Sequence, residues 1–139
     1  MKLERLNELM LHVLGRAAQL LYVEKSAAAY DLLICANRFF RYAASPDRVV
    51  PLADEMHSLE DYRFVGGHGE AVSLRIERGP EDLSGSVFIE RMALVAAVDD
   101  LVLTGSDPES VIRIAALTGE SPLYCRVSRG NAVRDVRVS

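Results

Sequence analysis

The sequence predicts an α+β fold, an N-terminal antiparallel helical hairpin followed by a small α/β unit. Three observations carry this. Apolar residues recur at helical spacing from residue 2 to residue 44. Apolar–polar alternation replaces that period in "AVSLRIER", "VIRIAALT", "LYCRVS" and "AVRDVRVS". With 139 residues, 50% of them hydrophobic, the chain also has the material for a packed core.

Residues 2–24 form the first helix. At 100° per residue, Leu3, Leu6, Met10, Leu14, Ala17 and Leu21 fall on one side, and Leu9, Val13 and Leu20 widen that stripe. "EKS" breaks the pattern, with Ser26 as N-cap of a second helix, "AAAYDLLICANRFFRYAA". Tyr30, Leu33, Ile34 and Phe40 make its apolar side, with Asn37 as an exception. "SPD" ends it, because Pro46 biases the preceding residue away from α. So short a connection makes the helices antiparallel, and their surplus apolar surface predicts a homodimer in which two hairpins form a four-helix bundle.

Beyond "RVV", Pro51 opens a third helix, "LADEMHSLEDYRF". "GGHG" is a turn, "AVSLRIER" a strand and "GPEDLSGS" a connector. "VFIERMALVAAVDDLVLTG" reads as one long helix with Ser86 near its start and Gly105 just past its end. "VIRIAALT" and "LYCRVS" are strands around "GESP", and "AVRDVRVS" supplies another.

A net charge of −4, with basic residues scattered, argues against a nucleic-acid surface. The local excess Arg126, Arg129, Arg134 and Arg137, interrupted by Asp135, reads as solvated strand edge. Cys35 and Cys125 belong to no CxxC pair and have no His at ligand spacing, so they read as buried free thiols and no zinc is expected. No segment approaches the roughly 20 apolar residues that cross a bilayer, and "MKLERLNELM" lacks a signal-peptide core. A cytoplasmic protein without a membrane segment is expected.

One imidazole stands out. His12 lies on the polar stripe of the first helix with Arg5, Glu8, Arg16 and Gln19, opposite Leu3 and Leu21. Glu8 and Arg16, one turn before and after, are placed to fix its tautomer and to steady an attached phosphoryl group. His57, in the acidic stretch "DEMHSLED", reads as a solvated face; His68 reads as turn chemistry.

Residues 9–62 resemble the phosphoacceptor region of LytS/YehU-type sensor histidine kinases. That family has a helix with a PHFLFN-like motif, a helix ending in an "LRY"-like signature, and a "vxLxxElxxixxY" segment. Here "LHVLGRAAQLL" takes the first place with His12 at the histidine, and "LLICANRFFRYAA" the second with Phe40, Arg41 and Tyr42 at the signature. "VPLADEMHSLEDY" takes the third, with Leu52, Glu55 and Tyr62 in register. The family's proline before the histidine is Leu11, its phenylalanines are Val13 and Gly15, and its asparagine is Arg16.

The resemblance implies a division into 1–47, a hairpin for dimerisation and phosphoacceptance, and 48–139, a degenerate, truncated ATPase-like α/β sandwich. In the ATP-binding half, "DDLVLTG" stands at the family's "ENAIKHG"-like box, placing Asp99, Asp100 and Thr104 at its glutamate, asparagine and histidine. "SRGN" stands at its "DNG"-like turn, so Arg129 replaces the aspartate that accepts from the adenine amino group, and arginine has no acceptor to offer. The chain reaches Ser139 without a glycine-rich lid. Neither ATP nor Mg²⁺ is expected as a cofactor, autokinase activity is not expected, and Asp99 and Asp100 read as solvent-facing acids.

Two functions remain open. The first is a histidine phosphotransfer protein of a two-component system, relaying phosphoryl groups through His12 to or from a response-regulator receiver domain. The second is a non-catalytic pseudokinase module that docks on a kinase or response regulator.

Overall fold

The computed structural model describes residues 1–66, 73–76, 87–104, 111–117 and 123–138. It is an α+β protein. Helices α1 (Leu3–Tyr22) and α2 (Ser26–Ala43) pack together across the turn at residues 23–25. The turn is closed by backbone: Glu24 N–H donates to Leu21 O at 3.1 Å and Lys25 N–H to Leu20 O at 2.7 Å. This is the Schellman pattern, and it requires a left-handed residue just past the helix. Glu24 takes that role with φ 61°, where glycine is the residue without a Cβ penalty. Ser26 is the first residue of α2 rather than its cap, and the preceding Lys25 makes no side-chain cap bond. The turn's backbone bonds close the C-terminal end of α1, and no side chain caps the start of α2.

Only part of each apolar stripe is buried within the chain. On α1 the buried residues are Leu9, Val13 and Ala17, whereas Leu3, Met10, Leu14 and Leu21 are exposed by 44–72%. On α2 the buried set is Ala29, Leu32, Cys35, Ala36 and Phe39, and Tyr30, Leu33 and Ile34 face outward. Each helix thus carries two apolar faces, and the chain uses one of each.

After β1 (Val49–Pro51) and α3 (Leu52–Val65) come β2 (Ser73–Ile76), β3 (Phe88–Glu90), α4 (Ala93–Thr104), β4 (Val111–Leu117), β5 (Leu123–Arg129) and β6 (Ala132–Val138). The six strands make one sheet in the order β1-β3-β6-β5-β4-β2, antiparallel except for the β2–β4 pair. β5 and β6 are joined through Gly130 and Asn131; Gly130, with φ 57°, supplies the positive φ of a two-residue hairpin.

"VFIERMALVAAVDDLVLTG" is not a single helix. Phe88–Glu90 pairs with β1 and β6 as β3, and α4 begins only at Ala93. Met92, with φ 69°, breaks the chain between them. The proposed start at Ser86 and stop at Gly105, like His68 and "GPEDLSGS", lie outside the described residues.

Alternation builds the core. Ile112, Ile114, Cys125, Val127 and Val138 point from the sheet toward Leu94, Val98 and Leu101 of α4 and Leu52 and Leu59 of α3. The same cluster continues into Leu9, Val13 and Phe39, so the helix pair is seated on the body of the protein. Cys35 and Cys125 are both buried free thiols.

The αL position gives a direct test. Replacing Glu24 by glycine removes the Cβ penalty and raises unfolding free energy by about 0.5–1 kcal/mol after the added entropy of the unfolded chain. Urea denaturation should give a higher midpoint at unchanged slope.

Candidate functional site

His12 sits in the middle of α1 with its side chain exposed. The helix that carries it is held by the apolar anchors Leu9 and Val13, which flank His12 in sequence and point to the core. On the helical wheel His12 lies about 180° from the exposed Leu3 and Leu21 and about 160° from Met10 and Leu14. Gly15, three residues on, would place an added Cβ in open space. The imidazole is therefore approachable from solvent over the surface away from the open apolar stripe.

The two flanking residues do not converge on it. Glu8 accepts from Arg5 at 3.1 Å, one turn toward the N-terminus. Arg16 is half-buried, and no hydrogen bond or ion pair among the described residues reaches it or His12.

Arg5 is the residue whose role spacing missed. Its guanidinium bridges Glu8 and the buried Asp99 of α4, with Nε and Nη2 both 3.0 Å from the Asp99 oxygens. Tyr62 of α3 donates its hydroxyl to Asp99 at 2.6 Å. Asp99 is only 5% exposed, which corrects its reading as a solvent-facing acid. A buried carboxylate must be paired, and this one is held by a charge from α1 and a hydroxyl from α3. The ion pair raises the Arg5 pKa, while burial and then the Asp99 bond push the Tyr62 hydroxyl up.

A second buried carboxylate organises the start of α4. Glu55 is fully buried; it accepts from the backbone N–H groups of Met92 at 2.9 Å, Leu94 at 3.0 Å and Val95 at 3.1 Å. It also takes a short hydrogen bond from the Tyr42 hydroxyl of α2. These amides are orphan donors at the start of α4, and a negative charge there meets the positive end of the helix dipole. Next to it, Arg91 donates to the carbonyls of Ala43, Tyr42 and Asp47, closing the C-terminal end of α2. The letters Tyr42, Glu55 and Tyr62 therefore act here as joints between helices.

The arginines near the C-terminus are not strand-edge residues, because β5 and β6 are interior strands. Arg126 forms a two-bond pair with Asp135 across the ladder at 2.8 and 2.9 Å. Arg134 pairs with Asp100 at 3.0 Å. Arg129 donates to the Leu101 and Val102 carbonyls of α4, where the last turns leave acceptors open. Asp100 and Arg129 thus have partners on neighbouring elements. His57 is exposed on α3. Among the described residues no group of three or more His, Cys, Asp or Glu is placed to hold a metal ion, and no helix is long and apolar enough to cross a membrane.

No family model matches the chain, and no curated protein matches it.

The buried carboxylates generate two expectations. Glu55→Ala leaves three amides and a hydroxyl unpaired and should cost about 3–5 kcal/mol, whereas Glu55→Gln keeps one acceptor oxygen, turns an amide N–H₂ toward the other donors and loses the charge at the helix start, and should cost somewhat less, about 2–4 kcal/mol. Chemical denaturation of both variants gives the order, and a Glu55→Gln variant as stable as the parent would remove the dipole argument.

The second concerns alkaline pH. Burial pushes the Cys125 thiol from 9.0 up to about 11, so the folded state holds it neutral where the unfolded chain ionises. Stability is intact below pH 9.0 and declines as pH climbs toward about 11. Tyr42 and Tyr62, raised chiefly by burial, act in the same sense at higher pH. Melting temperatures from neutral to alkaline pH should fall in that window, and Cys125→Val should flatten the first part of the fall.

Proposed function

We propose that this chain is a histidine phosphotransfer protein of a two-component system, working in the cytoplasm as a homodimer and relaying phosphoryl groups through His12 to or from a receiver domain. The observation that carries the reading is the placement of His12: exposed, on a helix with a second apolar face, and opposite that face. Antiparallel hairpins of two copies, packed through Leu3, Met10, Leu14 and Leu21 with Tyr30, Leu33 and Ile34, would form a four-helix bundle and leave the imidazole outward. The resemblance of residues 9–62 to LytS/YehU-type kinases supports the same assignment.

The step is an exchange of one bond for another. The lone pair of a ring nitrogen attacks the phosphorus of the receiver's acyl phosphate. The P–O bond to the receiver aspartate breaks with its electrons returning to the carboxylate, and the second ring nitrogen releases its proton to water. Arg16, one turn from His12 and without a partner among the described residues, would have to turn toward the ring to meet the new phosphoryl charge. Binding of ATP is not part of the proposal. Asp100 is engaged by Arg134 and Arg129 by α4 carbonyls, which supports a relay over an autokinase.

A docking module without chemistry is the second reading, favoured by one detail: the Glu8 carboxylate is drawn to Arg5 instead of to the imidazole.

Incubation with a phosphorylated receiver domain should transfer an acid-labile, base-stable label to the protein, and His12→Ala should reduce it to background. Equal labelling of the variant would end the relay reading. Met10→Glu with Leu14→Glu should convert a dimer to a monomer in light scattering. If those charges abolish partner capture while His12→Gln changes neither capture nor output, the docking reading stands in its place.

A further inference from the structure

The turn that joins α1 to α2 also assembles a groove. Arg16, Gln19 and Val23 continue the stripe of α1 at spacings of three and four residues, so their side chains neighbour one another on one face. Lys25 lies beyond the helix, yet the backbone bond from its N–H to Leu20 O at 2.7 Å folds it back beside a residue one turn from Arg16. The reversal depends on Glu24 holding φ 61° against the usual penalty. Two cations and an amide separated in sequence are thereby gathered around one concavity.

The groove has a volume of about 690 Å³ and is lined by Arg16, Gln19 and Lys25 together with Leu20, Tyr22 and Val23, and with Ala18. Its lining contains no carboxylate, in a chain whose net charge is −4. Arg16 is half-buried and has no hydrogen-bonding or ionic partner among the described residues. A guanidinium kept partly out of water without a counter-charge is a ready receptor for an anion. The wall beside it is apolar, and the Tyr22 ring is 90% exposed, open to lie against a flat group.

We propose that this groove binds a small phosphomonoester that carries an aromatic or apolar group, with the phosphate on Arg16, Lys25 and the Gln19 amide and the apolar part on Tyr22 and Val23. The guanidinium fork supplies paired donors to two phosphate oxygens, the ammonium supplies a point charge, and the amide N–H₂ donates to the third oxygen. The site stands whether or not His12 accepts a phosphoryl group.

The test is titration of the isotopically labelled protein with phenyl phosphate, read by NMR, with inorganic phosphate and benzyl alcohol as separate probes. Phenyl phosphate should give saturable shifts confined to residues 16–25, and inorganic phosphate should bind there more weakly. Benzyl alcohol should bind weakest of the three. Arg16→Gln and Lys25→Gln should each weaken phenyl phosphate by about tenfold, the loss of one charge-assisted contact. Tyr22→Ala should weaken phenyl phosphate while leaving inorganic phosphate unchanged. Absence of saturable shifts, or shifts untouched by Arg16→Gln and Lys25→Gln in variants whose spectra are otherwise native, would overturn the site. Equal affinity for phenyl and inorganic phosphate would overturn the apolar half of it.

Discussion

The structure depends on one buried carboxylate. Helix α4 starts at Ala93 directly behind "ERM", with no Ser, Thr, Asp or Asn at hand to cap it. Glu55, brought from α3, takes over by accepting from the amides of Met92, Leu94 and Val95. The oxygen that accepts from Met92 also receives the Tyr42 hydroxyl from α2. Burying a charge is costly, and what offsets it here is four donors and a helix dipole. The result is a point where the end of α2, the body of α3 and the start of α4 are mutually fixed, with Arg91 tying off the carbonyls of α2 alongside. The placement of α1 on the core follows from that joint, because α1 packs on α2 and α3.

Much of this architecture was legible in the sequence, and the failures have physical causes. Helical spacing located α1 and α2 because each is long enough for the 3.6-residue period to repeat, whereas α3 was marked by Pro51 at its start. Spacing did not separate the part of the stripe that packs within the chain from the part that is left open. Leu9 and Val13 differ little in hydrophobicity from Met10 and Leu14, and a wheel with apolar residues across more than half its circumference does not rank its faces. The tertiary partner decides. Strands β1 and β3 were missed because three residues are too few for alternation to register, and β3 was absorbed into the apolar run that follows it. The break came at Met92, whose positive φ no residue preference announces.

The candidate site was legible in part. The position of His12 on a polar flank was readable from spacing, since exposure opposite an apolar stripe is a one-helix property. The partners of Arg5, Asp99 and Glu55 were not. Those pairs join residues 37 and 94 positions apart in one network and 13 to 40 in the other. Local charge patterning sees only i, i+3 and i, i+4 neighbours, and so it read Asp99 as a solvated acid and Arg5 as a surface cation. Pattern letters such as Tyr42 and Tyr62 marked the right residues without revealing that they are helix joints.

These networks also bear on where chemistry can reside. A group that works on a substrate must be free to change its bonding during the reaction. Asp99 is committed to Arg5 and Tyr62, Glu55 to α4, Asp100 to Arg134, and Arg129 to the carbonyls of α4. Releasing Asp99 or Glu55 would leave unpaired polar groups or charges in the core, at a cost of several kcal/mol, whereas the exposed Asp100–Arg134 pair is held more weakly. The α/β unit has thus turned its polar side chains toward holding its own helix in place. On α1, by contrast, His12 and Arg16 have no such commitments among the described residues, and the helix beneath them is anchored by apolar contacts alone at that point. The proposed relay therefore places its reaction on α1, where uptake of a phosphoryl group would break none of these pairs, and leaves the rest of the chain the task of keeping that helix still.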